Sequence, residues 1–535
     1  MVHPPTPRVF LAYAASILLA ASLTGCNSKT GSMEATDVAA RAITTNAMPN
    51  NAMAMEPPSE ANIFNTESYD HIEENEFLSS LQHPKSTFSV DVDTASYSNV
   101  RRMLRSGTKP PAGAVRIEEL INYFSYNYPK PDGDHPFSVS MEVAPCPWEP
   151  EHELLRIGLK GYEIDLKERP ASNLVFLLDV SGSMRMPDKL PLVKSAMKLL
   201  LEQLDERDRI AIAVYAGGSG LALPSTPASE KAKILAAIDQ LQAGGSTNGA
   251  QGIHLAYNVA QSQFIAGGIN RVILCTDGDF NVGVTNQSQL VELIEEKAKS
   301  KVFLTVFGFG TGNLKDSTME KLADHGNGMY AYIDSLLEAR KSLVRQIGGT
   351  LITIAKDVKI QLDFNPQHVA AYRLIGCENR LLANEDFQDD TKDAGEIGAG
   401  HSVTALYELV PPGVESPSRK DTPSQFVKTV VNDDVDNDTM LTIGLRYKKP
   451  EGESSIELNE TLYRTHSNTD APSADMRFAS SVAAFGMLLR DSKFKGNATW
   501  DAVIETAQAA VGEDQDGFRS EFIELAKKAR LISGA

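Results

Sequence analysis

The sequence predicts an α/β protein built around a doubly wound, mostly parallel β-sheet, with an α+β domain before it and a β-rich, then helical, domain after it. Between about residues 172 and 347, short apolar runs alternate with helical stripes. Strands buried on both faces are continuously apolar, and their alternation with helices is typical of a parallel sheet covered on both sides. The runs are Leu174–Leu178, Ile210–Tyr215, Val272–Cys275 and Val302–Phe307, and one clear stripe is Ile234, Leu235, Ile238 and Leu241.

The regions on either side of this predicted sheet have a different pattern. From about residue 80 to 165, an alternating strand and two apolar helix faces precede two β-like runs, Phe137–Val143 and Leu154–Leu159. After residue 350, runs such as Val358–Leu362 and Met440–Leu445 predict further strands, and three amphipathic helices follow, which we expect to pack inward on their own domain. The predicted domains are 79–168, 169–349 and 350–535.

The first residues have the pattern of an export signal. An apolar run from Val9 to Leu23 is shorter than the roughly 20 residues that span a bilayer, and it ends in Leu23-Thr24-Gly25-Cys26. These four residues resemble the lipobox of bacterial lipoproteins, which implies cleavage of a signal at 1–25 and acylation of Cys26. Asn27 then favours the outer membrane of the cell envelope. An ordinary secretory signal is the alternative. Residues 26–78 are rich in small and polar residues and predict a disordered tether.

The charge balance of the chain argues against nucleic acids and anionic lipids as direct partners. The chain has 51 Lys and Arg against 70 Asp and Glu, a formal net charge of −19. Such a surface is repelled by phosphate backbones and by anionic headgroups. We therefore expect no nucleic acid partner, and we expect membrane attachment only through lipidated Cys26.

Three cysteines follow Cys26, and an exported protein can form disulfides. Cys275 ends an apolar run and is expected to be a small buried side chain. Cys146 with Cys377 is the one pair that remains, and the sequence leaves open whether it forms.

Three loops place short oxygen-bearing side chains after predicted strands. Asp179-Val180-Ser181-Gly182-Ser183 follows the first buried strand, Gly244-Gly245-Ser246-Thr247-Asn248 precedes a helix, and Thr276-Asp277-Gly278-Asp279 follows the strand ending at Cys275. The carboxyl ends of parallel strands meet at one edge of an open sheet, which is where ligand sites lie. Hydroxyls with one or two carboxylates suit a hard cation such as Mg²⁺.

These loops resemble the von Willebrand factor type A family, whose metal-ion-dependent adhesion site has Asp-x-Ser-x-Ser, then a Thr, then an Asp. Asp179, Ser181 and Ser183 match the first element, Thr247 the second and Asp277 the third. The resemblance implies that the three hydroxyls touch one divalent cation, expected to be Mg²⁺ with Mn²⁺ or Ca²⁺ as alternatives. The two Asp side chains would act largely through water, and a Glu or Asp of a partner protein would complete the shell.

The span from about 80 to 535 further resembles bacterial lipoproteins in which a short N-terminal domain, beginning Phe88-Ser89-Val90-Asp91-Val92-Asp93-Thr94 here, precedes the A domain. A C-terminal domain of unassigned function follows it in that family. The resemblance supports this architecture and leaves the biochemical role open.

No pattern in the sequence predicts an enzyme active site. The ten histidines are scattered, without paired Cys spacing or a His-Glu-x-x-His motif, and no Gly-x-Ser-x-Gly elbow occurs. In Asp91-Val92-Asp93-Thr94, Asp93 or Thr94 is expected to cap the helix that follows. The leading hypothesis is a metal-dependent protein-binding lipoprotein. The alternatives are a metal-dependent hydrolase in which Asp277 or Asp279 activates water, and an architectural lipoprotein with a structural metal.

Overall fold

The computed structural model describes residues 67–90, 93–165, 167–245, 249–278, 287–312, 314–417, 426, 431–432, 436–467 and 471–534. They belong to one compact unit, Ile63–Ala535. The predicted signal, Cys26, the tether up to residue 66, Thr247 and Asp279 lie outside the described residues. None of the helices within the described ranges is long and apolar enough to cross a membrane.

The N-terminal region begins with short strands and helices and ends in a long hairpin. Its elements are β1 (Leu78–Ser79), β2 (Lys85–Ser89), α1 (Ala95–Arg105), α2 (Ile117–Asn122), β3 (Phe137–Pro145) and β4 (Glu153–Gly161). The helices carry the apolar faces that the sequence predicts, with Tyr97, Val100 and Leu104 buried on α1.

The central region forms the predicted doubly wound sheet. Its elements are β5 (Ser172–Asp179), α3 (Leu190–Leu201), β6 (Arg209–Tyr215), β7 (Ser219–Pro227), α4 (Lys231–Gln240), α5 (Gly249–Ser262), β8 (Ile269–Thr276), α6 (Gln287–Ala298), β9 (Phe303–Phe309), α7 (Asp316–Asp324), β10 (Tyr330–Ile333), α8 (Leu336–Arg340) and α9 (Ile347–Leu351). The strand order is β10-β9-β8-β5-β6-β7, and every neighbouring pair is parallel except β6 with β7. This arrangement confirms the predicted fold class.

The C-terminal region consists of strands followed by helices, in the predicted order. Its elements are β11 (Thr353–Phe364), β12 (Ala371–Ile375), β13 (Gly395–Gly398), β14 (Ser402–Val410), β15 (Thr439–Lys448), β16 (Ser455–Tyr463), α10 (Arg464–Ser467), α11 (Ala474–Arg490), α12 (Trp500–Ala509) and α13 (Phe518–Ser533).

Two further sheets combine strands from both ends of the chain. In one, the order is β1-β12-β14-β4-β3, and in the other β2 pairs with β11 beside β13, β15 and β16. The register sets Leu155 opposite Tyr407 and Phe88 opposite Ile360. Their apolar side chains meet between the sheets, where Phe364 stacks on Tyr372 with ring centres 4.2 Å apart. The N-terminal and C-terminal regions therefore form two shared sheets, although the sequence pattern predicts these regions as separate domains.

The three C-terminal helices bury their apolar faces against the N-terminal helices. Phe124, just after α2, lies 4.9 Å from Phe478 and 5.7 Å from Phe522 between ring centres, and Gly486 of α11 faces Ile117 of α2. The expectation that these helices pack inward on their own domain is therefore wrong, because 15 of the 36 buried residues in their core lie between Tyr97 and Leu154.

The start of α1 is satisfied by tertiary contacts. Thr94 occupies the N-cap position and its side chain makes no capping hydrogen bond. The Asp93 carboxylate instead accepts a hydrogen bond from the Tyr330 amide at 2.8 Å, and Glu119 accepts from the Ser96 amide at 2.7 Å. The predicted cap by Thr94 is therefore wrong, because the buried Glu119 carboxylate from α2 accepts the hydrogen bond from the Ser96 amide of α1.

The cysteines do not form the pair that the sequence left open. Cys146 and Cys275 are buried thiols, and Cys146 is not bonded to Cys377. Cys146 lies in the core around the C-terminal helices, whereas Cys377 belongs to the core between the sheets. The expectation that Cys275 is a small buried side chain is confirmed, and burial raises the pKa of its thiol.

Candidate metal centre

The first loop of the candidate site follows β5. Asp179 is the last residue of that strand and is fully buried. One carboxylate oxygen, Oδ1, accepts a hydrogen bond from the Ser181 amide at 2.8 Å, which turns the chain into a short 3₁₀ helix over Gly182–Arg185. The turn brings the Ser181 and Ser183 hydroxyl oxygens within 2.9 Å of each other. A carboxylate and two hydroxyls are thus presented by five consecutive residues.

The second loop is held against the first by backbone hydrogen bonds. The Gly244 amide donates to the Val180 carbonyl at 2.7 Å, and the Gly182 amide donates to the Gly245 carbonyl at 3.1 Å. Gly245 has a φ of 89°, a conformation that favours glycine. This loop leads directly to Thr247, which lies outside the described residues, so its part in the site stays a prediction.

The third loop follows β8, the parallel neighbour of β5. The register pairs Leu178 with Cys275, so both strands end at the same level. Asp277 is almost completely buried there, and the hydroxyl of Thr276 donates to the Asp179 carboxylate at 3.4 Å. The structure therefore brings Asp179, Ser181, Ser183 and Asp277 to one edge of the sheet, while Asp279 lies outside the described residues.

The electrostatics of this edge favour a cation. The pKa of Asp179 is raised to about 6, mainly because burial removes water from the carboxylate. The negative charge of Asp277 adds to the increase, and hydrogen bonds from Ser181 oppose it. A cation beside two buried carboxylates would relieve both effects.

A lysine outside the three loops also lies at this edge. Lys189, directly before α3, has only 4% of its surface exposed, and its ammonium lies 2.8 Å from Oδ2 of Asp277. Its aliphatic stem passes over Gly310 after β9, where any side chain would collide with it. A lysine at a helix start usually lies in solvent, so only the packing of α3 against β9 reveals its place.

The donor set fits a hard divalent cation. Hydroxyl and carboxylate oxygens are the ligands that Mg²⁺ prefers, and it retains several waters in most protein sites. Within the described ranges, no group of three or more His, Cys, Asp or Glu side chains has a metal-binding arrangement. A metal at this edge would therefore depend on Ser181, Ser183, water and two carboxylates, together with the predicted Thr247.

Comparison with known protein families assigns three segments of the chain. Residues 173–346 match the von Willebrand factor type A domain, residues 63–156 match a family described as von Willebrand factor, and residues 349–532 match the C-terminal domain of the uncharacterized protein YfbK. The matched A domain contains all the residues of the candidate site.

A relative from Escherichia coli K12, described as the uncharacterized protein YfbK, is 44% identical over 471 residues, which is 87% of this chain and 81% of that protein. The chain belongs to the YfbK family. This YfbK-family chain is also 30% identical over 195 residues to human inter-alpha-trypsin inhibitor heavy chain H4, but it covers only 20% of that protein.

Among solved structures, a von Willebrand factor type A protein from Catenulispora acidiphila is similar to this YfbK-family chain over 74% of this chain and 91% of that one. The TM-score is 0.41 and the identity is 15%. The A domain itself suggests a role in protein interaction or adhesion.

Proposed function

We propose that this YfbK-family protein is a non-catalytic, metal-dependent protein-binding lipoprotein of the bacterial cell envelope. Its A domain would hold one divalent cation, Mg²⁺ first, through Asp179, Ser181, Ser183, Thr247 and Asp277. An acidic side chain of a partner protein would complete the coordination of that ion. Acylated Cys26 would tether the protein to the outer membrane.

The observation that carries the proposal is the convergence of the Asp179 loop and Asp277 at the carboxyl edge of β5 and β8. The two carboxylates attract an ion, and the adjacent Ser181 and Ser183 hydroxyls supply neutral direct ligands, so the carboxylate charge would reach the ion largely through water. An ion bound in this way retains affinity for an external carboxylate.

The contact between Lys189 and Asp277 favours binding over hydrolysis. A carboxylate that activates water must present a free oxygen to that water, and Oδ2 of Asp277 already contacts the Lys189 ammonium at 2.8 Å. If screening with Mg²⁺ or Mn²⁺ against phosphoesters, peptides and glycans found turnover that Asp277→Ala abolished, the hydrolase alternative would replace the proposal.

The decisive experiment is crosslinking in the native envelope, with mass spectrometry of the captured proteins. We expect partners of the wild type to be lost in Asp179→Ala, in Ser183→Ala and after chelation. Ser183→Ala removes a half-buried hydroxyl and leaves the buried carboxylate in place, so it separates loss of the ion from loss of the fold.

Ser195→Ala is the matched control, because the Ser195 hydroxyl bonds only to the Pro191 carbonyl within α3 among the contacts described. An unchanged set of partners in Asp179→Ala and after chelation would refute the proposal. If Mg²⁺ raised the melting temperature by mass action without changing any interaction, the metal would be structural.

A further inference from the structure

The surroundings of Lys189 make it part of the candidate metal centre. Its ammonium lies 2.8 Å from Asp277, and the two side chains are 5% and 0% exposed. The charges of a buried ion pair are no longer hydrated. Each charge is therefore stabilised by its partner, or by another ion that has the partner's sign. A metal ion would bring a second positive charge to the same carboxylate.

Lys189 is held in this position by the fold. It precedes Leu190 and Pro191 at the start of α3, and the amide of Val193 donates to its carbonyl at 2.9 Å. The stem lies in the space left by the missing side chain of Gly310, whose φ of 76° also favours glycine. The carbonyl of Gly310 accepts a hydrogen bond from the Tyr332 hydroxyl at 2.7 Å, which fixes this loop.

We propose that Lys189 is a permanent counter-charge that weakens ion binding at this site and makes the ion-loaded site selective for an anionic ligand. The inference rests on the proposed function. Asp179 and Asp277 together carry two negative charges, and a divalent ion alone would cancel them. With the Lys189 ammonium present, the loaded site keeps one positive charge, which attracts a carboxylate and disfavours a neutral ligand.

The same contact gives Lys189 a second effect, in the absence of the ion. Asp277 then retains a positive partner, so the empty site does not contain two uncompensated carboxylates. Repulsion between the ammonium and the ion should lower the affinity for Mg²⁺, and removal of one unit charge a few ångströms away should change it by about 10- to 100-fold.

The test compares Lys189→Met with Lys189→Arg in the full-length protein. Methionine keeps the length of the stem without the charge, and arginine keeps the charge. Lys198→Met is the matched control, because Lys198 lies on the same helix and pairs with Asp239 at the surface. Titration calorimetry with Mg²⁺ alone measures the ion affinity, and thermal melting in EDTA measures the stability of the empty site.

We expect Lys189→Met to bind Mg²⁺ at least tenfold more tightly than the wild type and to melt at a lower temperature in EDTA. Lys189→Arg and Lys198→Met should stay within about threefold of the wild-type affinity. In the envelope crosslinking assay at saturating Mg²⁺, Lys189→Met should capture less partner than the wild type despite full ion occupancy.

If Lys189→Met does not fold in EDTA, excess Mg²⁺ should restore folding, because the ion replaces the ammonium beside Asp277. Failure of that rescue, or an unchanged Mg²⁺ affinity in a folded Lys189→Met protein, would overturn the inference while leaving the proposed function intact. A wild-type protein that binds no divalent ion would overturn both.

Discussion

His401 is a buried, neutral histidine between the central sheet and the C-terminal strands. Its ring packs on Gly349 so closely that a side chain there would collide with it, and Nδ1 has no hydrogen-bond partner among the described residues. Burial lowers the pKa of His401 to about 4, and the positive charges of Lys160, Lys341 and Arg271 add to the decrease. The folded protein therefore resists protonation of this ring.

This environment predicts a loss of stability in mild acid. The unfolded chain binds the proton near pH 6.5 and the folded chain only near pH 4, so the free energy of unfolding falls as the pH drops through that window. Between pH 7 and pH 5, His401 should account for roughly 2 kcal/mol of that fall. Urea denaturation at both pH values should show a smaller difference for His401→Gln than for the wild type.

His254→Gln is the control for this measurement, because His254 is exposed on α5. It should lose as much stability between pH 7 and pH 5 as the wild type. An identical loss in His401→Gln would mean that His401 does not titrate in this window.

At the scale of elements, Gly158 shows how a strand and a loop are fitted together. It lies within β4, and the ring of Tyr128 occupies the place that a side chain at position 158 would take. The Tyr128 hydroxyl is 2.7 Å from the Thr404 hydroxyl on β14, and the Arg156 guanidinium lies 5.0 Å from the ring centre. The ring is thus held on both sides and cannot easily move away.

We therefore expect Gly158→Ala to destabilise the protein by about 1–3 kcal/mol, as overpacking of a filled core does. Chemical denaturation measures the change. Gly133→Ala is the control, since nothing lies within 4 Å of a methyl group at that position. Equal stability of the two variants would show that the Tyr128 ring can be displaced at little cost.

At the scale of the whole molecule, Arg101 joins all three sequence regions. Its guanidinium is buried and donates to Asp334 at 2.5 and 2.9 Å, to Glu338 at 2.7 Å and to Glu521 at 3.1 Å. These acids belong to the segment after β10, to α8 and to α13. One side chain on α1 thus neutralises carboxylates from both other regions.

Arg101→Met should cost about 3–5 kcal/mol, because it removes the guanidinium that the buried carboxylates of Asp334 and Glu338 share. Arg105→Met is its control. Arg105 is half exposed and pairs with Glu521 at the surface, so its loss should cost no more than about 1 kcal/mol. Equilibrium denaturation would contradict the prediction if the two variants were equally stable.

Unfolding of the whole molecule should be cooperative. Because β2 and β4 pair with β11 and β14, the N-terminal and C-terminal regions should unfold together. Separate transitions for these regions in hydrogen exchange would contradict that expectation.

The sequence predicts the features that depend on neighbouring residues. The continuous apolar runs predict β5, β6, β8 and β9, and the helical stripes predict α1, α2 and α11 to α13, because burial on one or two faces imposes a short period on neighbouring residues. The sequence also predicts that the Asp179 loop and Asp277 lie close together, since parallel strands must end at a common edge. The Cys26 lipobox and Thr247 remain predictions from the sequence.

Which distant segments meet depends on packing in three dimensions. No local pattern could show that Glu119 satisfies the start of α1, or that the C-terminal helices pack on α2, because any apolar face can pack on any other. The same holds for Lys189, whose neighbour Asp277 is 88 positions away. The sequence determines the fold of the centre and the identity of its candidate ligands, whereas the charge balance of that site depends on packing between residues far apart in the chain.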